Sequence, residues 1–155
     1  MHWAAAYLTP VSIAALLIAG ADVNARDSNG RTALYWAGTP ENIAALLNAG
    51  ADVNARDGGG RAALQFAASN GTPEKIAALL NAGADVNDRD GDGQTALHWA
   101  AGYGTPENIA ALLNVGASGS IKNRRGETPF DLAKKNKKIV KGTGVYWALN
   151  DAQYK

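Results

Sequence analysis

The chain has 155 residues, which is the size of one domain. It contains no cysteine, which excludes disulfides, thiolate metal sites and cysteine nucleophiles. The net charge of +1 hides an uneven distribution, because residues 1–121 carry 6 basic and 11 acidic side chains and residues 122–155 carry 9 basic and 3 acidic ones.

The first 21 residues are apolar and end in Ala-Gly-Ala, as a secretion signal does. They have no Lys or Arg at the start, where a signal normally has one. The segment also aligns without a gap on Leu97–Ala117, and Pro10 interrupts any membrane span. We therefore expect a helix pair here rather than a leader or a membrane anchor, and we expect the protein in the cytoplasm.

The chain repeats itself. The nine residues Ala19–Asp27 return unchanged at Ala49–Asp57, and the ten residues Thr39–Asn48 return unchanged at Thr105–Asn114. Self-similarity at a fixed period predicts stacked units with one continuous core. A glycine opens each unit, at spacings of 30, 33 and 33 residues: Gly30, Gly60, Gly93 and Gly126.

Each unit is predicted to hold two helices. The longer one begins at a Thr-Pro-Glu sequence such as Thr39–Glu41, in which the threonine caps free N–H groups and the proline fits the first helical position. The glutamate places negative charge near the positive end of the helix dipole. A glycine such as Gly50 ends the helix. A shorter helix precedes it, for example from Thr95 to about Gly102, and a polar turn joins successive units.

The repeated motif identifies a family resemblance. Gly93–Ala101 reads Gly-Gln-Thr-Ala-Leu-His-Trp-Ala-Ala and is followed by a Leu-Leu pair, and this pattern resembles the ankyrin repeat. The resemblance covers essentially the whole chain and implies an all-α solenoid of stacked helix-turn-helix units with projecting β-turn or hairpin loops. We divide this single domain, residues 1–155, into a partial unit (1–26), a shortened unit (27–56), two full units (57–89 and 90–122) and a capping unit (123–155).

Two units depart from the pattern. The second has only Gly38 before its longer helix, so we expect a stubby first helix, a tight turn, a surface notch and weaker packing. The first lacks its turn, which favours a cut from a longer chain or a truncated start. We expect Trp3, Tyr7, Ile13 and Leu17 to form an apolar patch there, through which the protein could self-associate.

The capping unit is expected to end in a helix near residues 145–153, with Trp147 packed against the preceding unit. One repeat position is occupied by bulky apolar residues and is interpreted as a core position that fills the layer between helix pairs. Its occupants are Trp3, Trp36, Phe66, Trp99 and Leu132.

No residue cluster predicts catalysis, a metal or a cofactor. The Asp88-x-Asp90-x-Asp92 sequence begins like a calcium loop, but its twelfth residue is Trp99 instead of the required glutamate. His2 and His98 occupy one repeat position, where the resemblance implies a histidine that hydrogen-bonds between neighbouring turns. We therefore predict that the protein is not an enzyme.

The resemblance implies a concave surface, made of loop tips and first helices, that binds a partner protein. The tip arginines could form a basic row that suits carboxylates, or they could be solvated turn charges. A binder of nucleic acid or another polyanion through the basic end, which the acidic body argues against, and a docking subunit for a separate enzyme remain alternatives. The predicted partner-binding residues are Tyr7, Ser28, Asn29, Arg31, Arg61, Ser69, Asn70, Asp92, Gln94, Tyr103, Arg124 and Arg125.

Overall fold

The computed structural model describes the backbone of residues 2–7 and 9–155 and the side chains of residues 5–7 and 9–155. Within these residues the regular structure is entirely helical. The helices are α1 (His2–Tyr7), α2 (Pro10–Ile18), α3 (Ala33–Trp36), α4 (Pro40–Asn48), α5 (Ala63–Asn70), α6 (Pro73–Asn81), α7 (Ala96–Tyr103), α8 (Pro106–Asn114), α9 (Pro129–Ala133) and α10 (Gly144–Ala152).

The helices form two layers. The first helices α1, α3, α5, α7 and α9 contact one another in chain order, and so do the second helices α2, α4, α6, α8 and α10. Each first helix also packs on the second helix that follows it. The predicted all-α solenoid is therefore confirmed. Its core lies between the layers and repeats one set of buried positions: Ile13, Ile43, Ile76 and Ile109, with Leu46, Leu79 and Leu112.

The ends of the second helices follow the sequence prediction with one exception. The Thr39 hydroxyl accepts the Asn42 N–H at 3.2 Å, and Thr105 does the same for Asn108 at 3.3 Å, but the Thr72 side chain makes no such cap. At the other end, Gly50 has a φ of 87°, and its equivalents Gly20, Gly83 and Gly116 have φ values of 86°, 91° and 86°. Only glycine adopts this left-handed conformation without strain.

The shortened unit has the expected stubby first helix. Helix α3 contains 4 residues, whereas α5 and α7 contain 8 each. The turn after it presses against α1, because the Gly38 N–H donates to the Ala5 carbonyl at 2.8 Å. A Cβ atom on Gly38 would lie 2.2 Å from the Ala6 carbonyl oxygen, so the turn tolerates no side chain.

The missing residues leave the predicted notch. A gap of about 50 Å³ lies beside the end of α3, and Tyr35, Phe66 and Lys75 are among its lining residues. In the second and fourth units an asparagine takes the position of Lys75. Asn108 Nδ2, for example, donates to the Ala68 and Gly71 carbonyls of the preceding helix pair, at 3.1 Å each. Lys75 has a longer side chain and no amide that could make these hydrogen bonds. Burial lowers the pKa of Lys75. Whether packing is weaker here stays a prediction.

Two expectations about the ends of the stack are wrong. Trp147 is 52% exposed, and Tyr146 and Leu149 face the core instead. These two residues are three apart and share one helix face, whereas Trp147 lies about 100° around the helix from Tyr146. At the N-terminal end, Ile13 is fully buried because α2 packs on α4.

Apolar side chains are nevertheless exposed at the N-terminal end. Val11 is 77% exposed and Ile18 is 88% exposed, at repeat positions that carry glutamate and asparagine in the later units. Of the predicted patch, Tyr7 is exposed, Leu17 is half-buried, and the Trp3 side chain lies outside the described residues. Across residues 2–7 and 9–155, no helix is both long enough and apolar enough to cross a bilayer.

Candidate partner-binding surface

Four turns between helix pairs share one hydrogen-bond pattern. A side-chain oxygen accepts two backbone N–H groups, from the residues two and four positions later; Asp57 Oδ1, for example, accepts those of Gly59 and Arg61 at 2.8 and 2.9 Å. The tips are also linked to one another, since Gly91 N–H donates to the Gly59 carbonyl at 2.8 Å. The turns are therefore held in a fixed row. The accepting residues are Asp27, Asp57, Asp90 and Asn123.

Two of the predicted arginines are compensated within the structure. Arg31 Nε lies 2.8 Å from Asp27 Oδ2, and Arg61 Nη2 lies 2.8 Å from Asp57 Oδ2. Desolvation alone would raise the pKa of Asp27, but hydrogen bonds from Arg31 and from the Asn29 N–H outweigh it and lower the pKa to about 2. The Arg31 guanidinium also lies 4.4 Å from the centre of the Trp36 ring, so its position is fixed.

The last turn is built differently. Asn123 is neutral, and Glu127 replaces the arginine found four positions after Asp27 and Asp57. The Glu127 carboxylate lies 2.8 Å from Lys135 Nζ, and hydrogen bonds from Lys135 and Asn123 lower its pKa. Arg124 and Arg125 are exposed and make no side-chain hydrogen bond or ion pair with any described residue. The predicted arginine row therefore divides into Arg31 and Arg61, which pair with carboxylates, and two arginines that form no ion pair.

The other predicted residues differ in exposure. Tyr7 is 74% exposed and Tyr103 is 61% exposed. Ser69 is buried, and its hydroxyl donates to the Phe66 carbonyl at 3.0 Å, so it offers little contact area. Gln94 is half-buried, and the remaining polar residues are exposed: Ser28, Asn29, Asn70 and Asp92.

Two clefts bring nine of the twelve predicted residues together. One, of about 190 Å³, is lined by Arg31, Arg61, Ser69 and Asn70 together with aromatic side chains. The other, of about 490 Å³, lies where α7 meets α9. Its predicted lining residues are Asp92, Gln94, Tyr103, Arg124 and Arg125. Tyr7, Ser28 and Asn29 line neither cleft.

Family comparison agrees with this architecture. The family model described as "Ankyrin repeats (3 copies)" matches residues 1–90 and again residues 64–142. The chain belongs to the ankyrin-repeat family. Ankyrin repeats generally mediate protein–protein interactions and are typically non-enzymatic modules. No curated protein matches the sequence.

The aromatic row of this ankyrin-repeat protein is less buried than predicted. Trp36, Phe66 and Trp99 are half-buried, and Phe66 and Trp99 line the smaller cleft. The rings contact one another, with 5.6 Å between the centres of Trp36 and Phe66. Tyr35, which the sequence reasoning missed, is buried and stacks on Phe66 at 4.6 Å. The row therefore serves both the core and the surface.

His98 has the role that the resemblance implied. It is fully buried; Nδ1 accepts the Thr95 N–H at 3.1 Å, and Nε2 lies 3.1 Å from the Glu127 carbonyl of the next turn. Because Nδ1 faces an N–H and Nε2 faces a carbonyl, Nε2 carries the proton. Burial lowers the pKa of His98. The side chain of His2 lies outside the described residues.

The calcium-like sequence uses its carboxylates within the protein. Asp90 accepts two backbone N–H groups with Oδ1 and the Trp99 Nε1–H with Oδ2, at 2.8 Å. Asp88 pairs with Arg56 of the preceding turn. Among the residues whose positions are described, no group of three or more His, Cys, Asp or Glu could hold a metal ion.

The larger cleft also contains residues outside the twelve predicted partner-binding residues. Glu127, Leu132 and Lys135 line it together with Trp99. The repeat register places Glu127 at a turn tip and Lys135 at the position that matches the exposed side of a first helix. Nothing local in the sequence predicts that these two side chains pair with each other while Arg124 and Arg125 form no ion pair.

Proposed function

We propose that this ankyrin-repeat protein is a non-enzymatic scaffold that binds a partner protein through its turn tips and the exposed sides of its first helices. The observation that carries the proposal is the position of Tyr103. Its side chain is 61% exposed and lines the larger cleft beside four other predicted residues. Tyrosine is enriched among residues that dominate binding energy at interfaces, because it supplies contact area with few rotatable bonds.

The rigidity of the surface supports the same proposal. The turn tips are fixed by backbone hydrogen bonds within each turn and between neighbouring turns, for example from Arg124 N to Asp92 O at 2.9 Å. Arg31 and Arg61 are held by their carboxylate partners and by aromatic rings. A surface ordered before binding loses less conformational entropy on association.

A paired substitution tests the proposal. Tyr103→Ala removes the exposed ring of the larger cleft. Tyr154→Ala is the control, because it removes a ring that is 79% exposed but lies after α10, outside both clefts. Proteins captured from an extract of the producing cells should be depleted at least several-fold by Tyr103→Ala and unchanged by Tyr154→Ala. Equal capture by all three proteins would contradict the proposed surface. A captured enzyme would identify the protein as a docking subunit.

Self-association is a second candidate, favoured by the exposed Val11 and Ile18. If these side chains pair with another copy, Ile18→Asn, which installs the residue of the later repeats, should convert a concentration-dependent oligomer into a monomer in light scattering. A wild-type chain that stays monomeric at high concentration would rule this candidate out.

A further inference from the structure

We infer that the cleft between α7 and α9 binds an acidic segment of a partner protein that carries an apolar side chain beside its carboxylates. This is the larger of the two clefts described above, and the residues that matter for the inference are Trp99, Tyr103, Arg124, Arg125, Leu132 and Lys135. The inference rests on the proposed function, since it assigns a partner chemistry to one part of the proposed surface.

The first argument is how the arginines are bonded. Arg56 Nη1 donates to the Arg89 carbonyl at 2.8 Å, and Arg89 Nη2 donates to the Lys122 carbonyl at 2.9 Å, so these side chains tie one turn to the next. Arg26 makes the equivalent bond to the Arg56 carbonyl. Arg31 and Arg61 pair with carboxylates. Among the described residues, Arg124 and Arg125 are the arginines whose side chains form no hydrogen bond or ion pair; the charge of Arg125 is close enough to Glu127 to help lower the pKa of that carboxylate.

The second argument is the chemistry of the last turn. Asn123 makes the same backbone hydrogen bonds as Asp57, with its oxygen 2.9 Å from Arg125 N and 3.0 Å from Glu127 N, but contributes no negative charge. Lys135 occupies the Glu127 carboxylate at 2.8 Å. Asp92 is the remaining carboxylate of the cleft lining, which also contains both guanidinium groups. The cleft therefore keeps a net positive charge, although residues 1–121 of the chain are acidic overall.

The third argument is the apolar surface between these cations. The Trp99 and Tyr103 rings lie 5.5 Å apart, and Leu132 continues the surface on α9. Gly102 adds no side chain, which leaves the space open. Guanidinium groups bind carboxylates through two parallel hydrogen bonds, and an adjacent apolar residue would bury against the rings. A peptide that combines both features matches the cleft.

Nucleic acid fits this cleft less well. Asp92 stands at the tip beside Arg124, and the helix pairs that flank the cleft toward the N-terminus carry more acidic than basic residues. A polyanion with a continuous row of phosphates would extend beyond the cleft onto the acidic helix pairs, whereas a short acidic segment would meet Asp92 alone among these carboxylates.

The test first selects peptide ligands and then measures their binding to variants in which the positive charge of the cleft is lowered or raised. A phage-displayed library of random peptides is selected on the wild-type protein, and the enriched peptides are synthesised with a fluorescent label. Their anisotropy is measured with four variants. Arg124→Ala/Arg125→Ala removes both free cations, and Glu127→Gln removes a negative charge by installing the residue type that Gln94 provides in the preceding turn. Tyr103→Ala reports on the surrounding surface, and Lys137→Ala/Lys141→Ala removes two exposed cations outside the cleft.

We expect acidic peptides with an aromatic or aliphatic residue to be enriched. Arg124→Ala/Arg125→Ala should weaken their binding about five- to twenty-fold, and Glu127→Gln should tighten it about two-fold or more. Lys137→Ala/Lys141→Ala should have little effect. A gain in affinity in one variant and a loss in another cannot both result from unfolding, and circular dichroism verifies the fold of each.

Three results would overturn the inference. Enriched peptides that lack acidic residues but need Tyr103 would refute the acidic partner and leave the proposed function standing. Equal weakening by the lysine variant, with competition by single-stranded DNA, would indicate a general polyanion surface. Peptides whose binding ignores every substitution in the cleft would count against both the inference and the proposed surface.

Discussion

The fully buried His98 allows a substitution whose outcome follows from the protein itself. At the equivalent position of the preceding helix pair, Gln65 Oε1 accepts the Ala62 N–H at 3.0 Å, and Nε2 donates to the Asp88 carbonyl at 3.1 Å. His98 makes the equivalent first bond, from the Thr95 N–H, but its second bond reaches the Glu127 carbonyl, which lies at a different repeat position from Asp88. His98→Gln should therefore preserve the bond from Thr95, keep a neutral N–H donor at the site and remove a titratable group.

The expected loss in the free energy of unfolding differs clearly between His98→Gln and His98→Ala. His98→Gln exchanges side chains of similar size and keeps the bond from the Thr95 N–H, so the free energy of unfolding should fall by less than about 1.5 kcal/mol. His98→Ala leaves the Thr95 N–H unpaired, at about 1–3 kcal/mol, and opens a cavity that costs about 2 kcal/mol. The Glu127 carbonyl keeps its bond from Asn123 N at 2.9 Å. The total for alanine is about 3–5 kcal/mol.

The pH dependence tests the buried neutral imidazole. Because burial lowers the pKa of His98 below the ordinary histidine value of 6.5, the unfolded chain takes up this proton first as the pH falls. The contribution of the neutral His98 to the free energy of unfolding is therefore complete above about pH 6.5, and it decreases as the pH falls below that value. Urea titrations at about pH 7.5 and pH 5.5 should show a larger loss for wild type than for His98→Gln. The same loss in both proteins would refute the reasoning, since the two proteins differ only at residue 98.

Three further predictions concern other parts of the stack. Gly38→Ala places a Cβ 2.2 Å from the Ala6 carbonyl oxygen and should lower the free energy of unfolding by about 1–3 kcal/mol in urea titrations, whereas the same change at the open Gly144 should not. Lys75 lines the gap left by the three missing residues, so Lys75→Asn should lower the free energy of unfolding by about 1 kcal/mol. In a chain with Ala-Ser-Asn inserted after Ala37, which restores the full-length helix, the same substitution should raise it by about 1 kcal/mol, and the same sign in both backgrounds would contradict the idea that Lys75 fills the gap. The pKa of Asp131 is lowered from 3.8 to about 2, chiefly by its hydrogen bond from Lys134, so its stabilisation is present above about pH 4 and lost between about pH 4 and pH 2. Asp131→Asn should remove about 0.5–1 kcal/mol of this acid dependence in urea titrations, and an unchanged profile would contradict the assignment.

The repeat made most of the fold predictable. Thr-Pro pairs and terminal glycines are local signals, so the helix boundaries at Thr39 and Gly50 followed from residue chemistry. The missing residues before Thr39 likewise predicted the short α3 and the gap beside it. Where repeat copies diverge, prediction failed: the orientation of α10 depends on its packing against α8 and α9, and the sequence alone did not distinguish Tyr146 from Trp147.

The surface was predicted by position but not by charge. Repeat register placed the arginines at the turn tips, and in the structure these arginines line the two clefts. Register separates the arginines that lie four positions after an aspartate from Arg124 and Arg125, which directly follow Asn123, but it does not show which side chains reach a carboxylate. Arg61 pairs with the buried Asp57, whereas the Arg124 side chain forms no hydrogen bond or ion pair with a described residue.

The replacement of asparagine by Lys75 affects how the stack comes apart. Asn42, Asn108 and Asn136 each bind carbonyl groups of the helix pair before them, whereas the junction between α3/α4 and α5/α6 has a shortened helix and no such amide. In a linear array, cooperativity is transmitted only between neighbours, so one weak junction can separate two blocks. We expect amide exchange to show the segment before this junction opening as a unit while α5 to α8 stay protected. A chain built from near-identical modules would then melt in two steps.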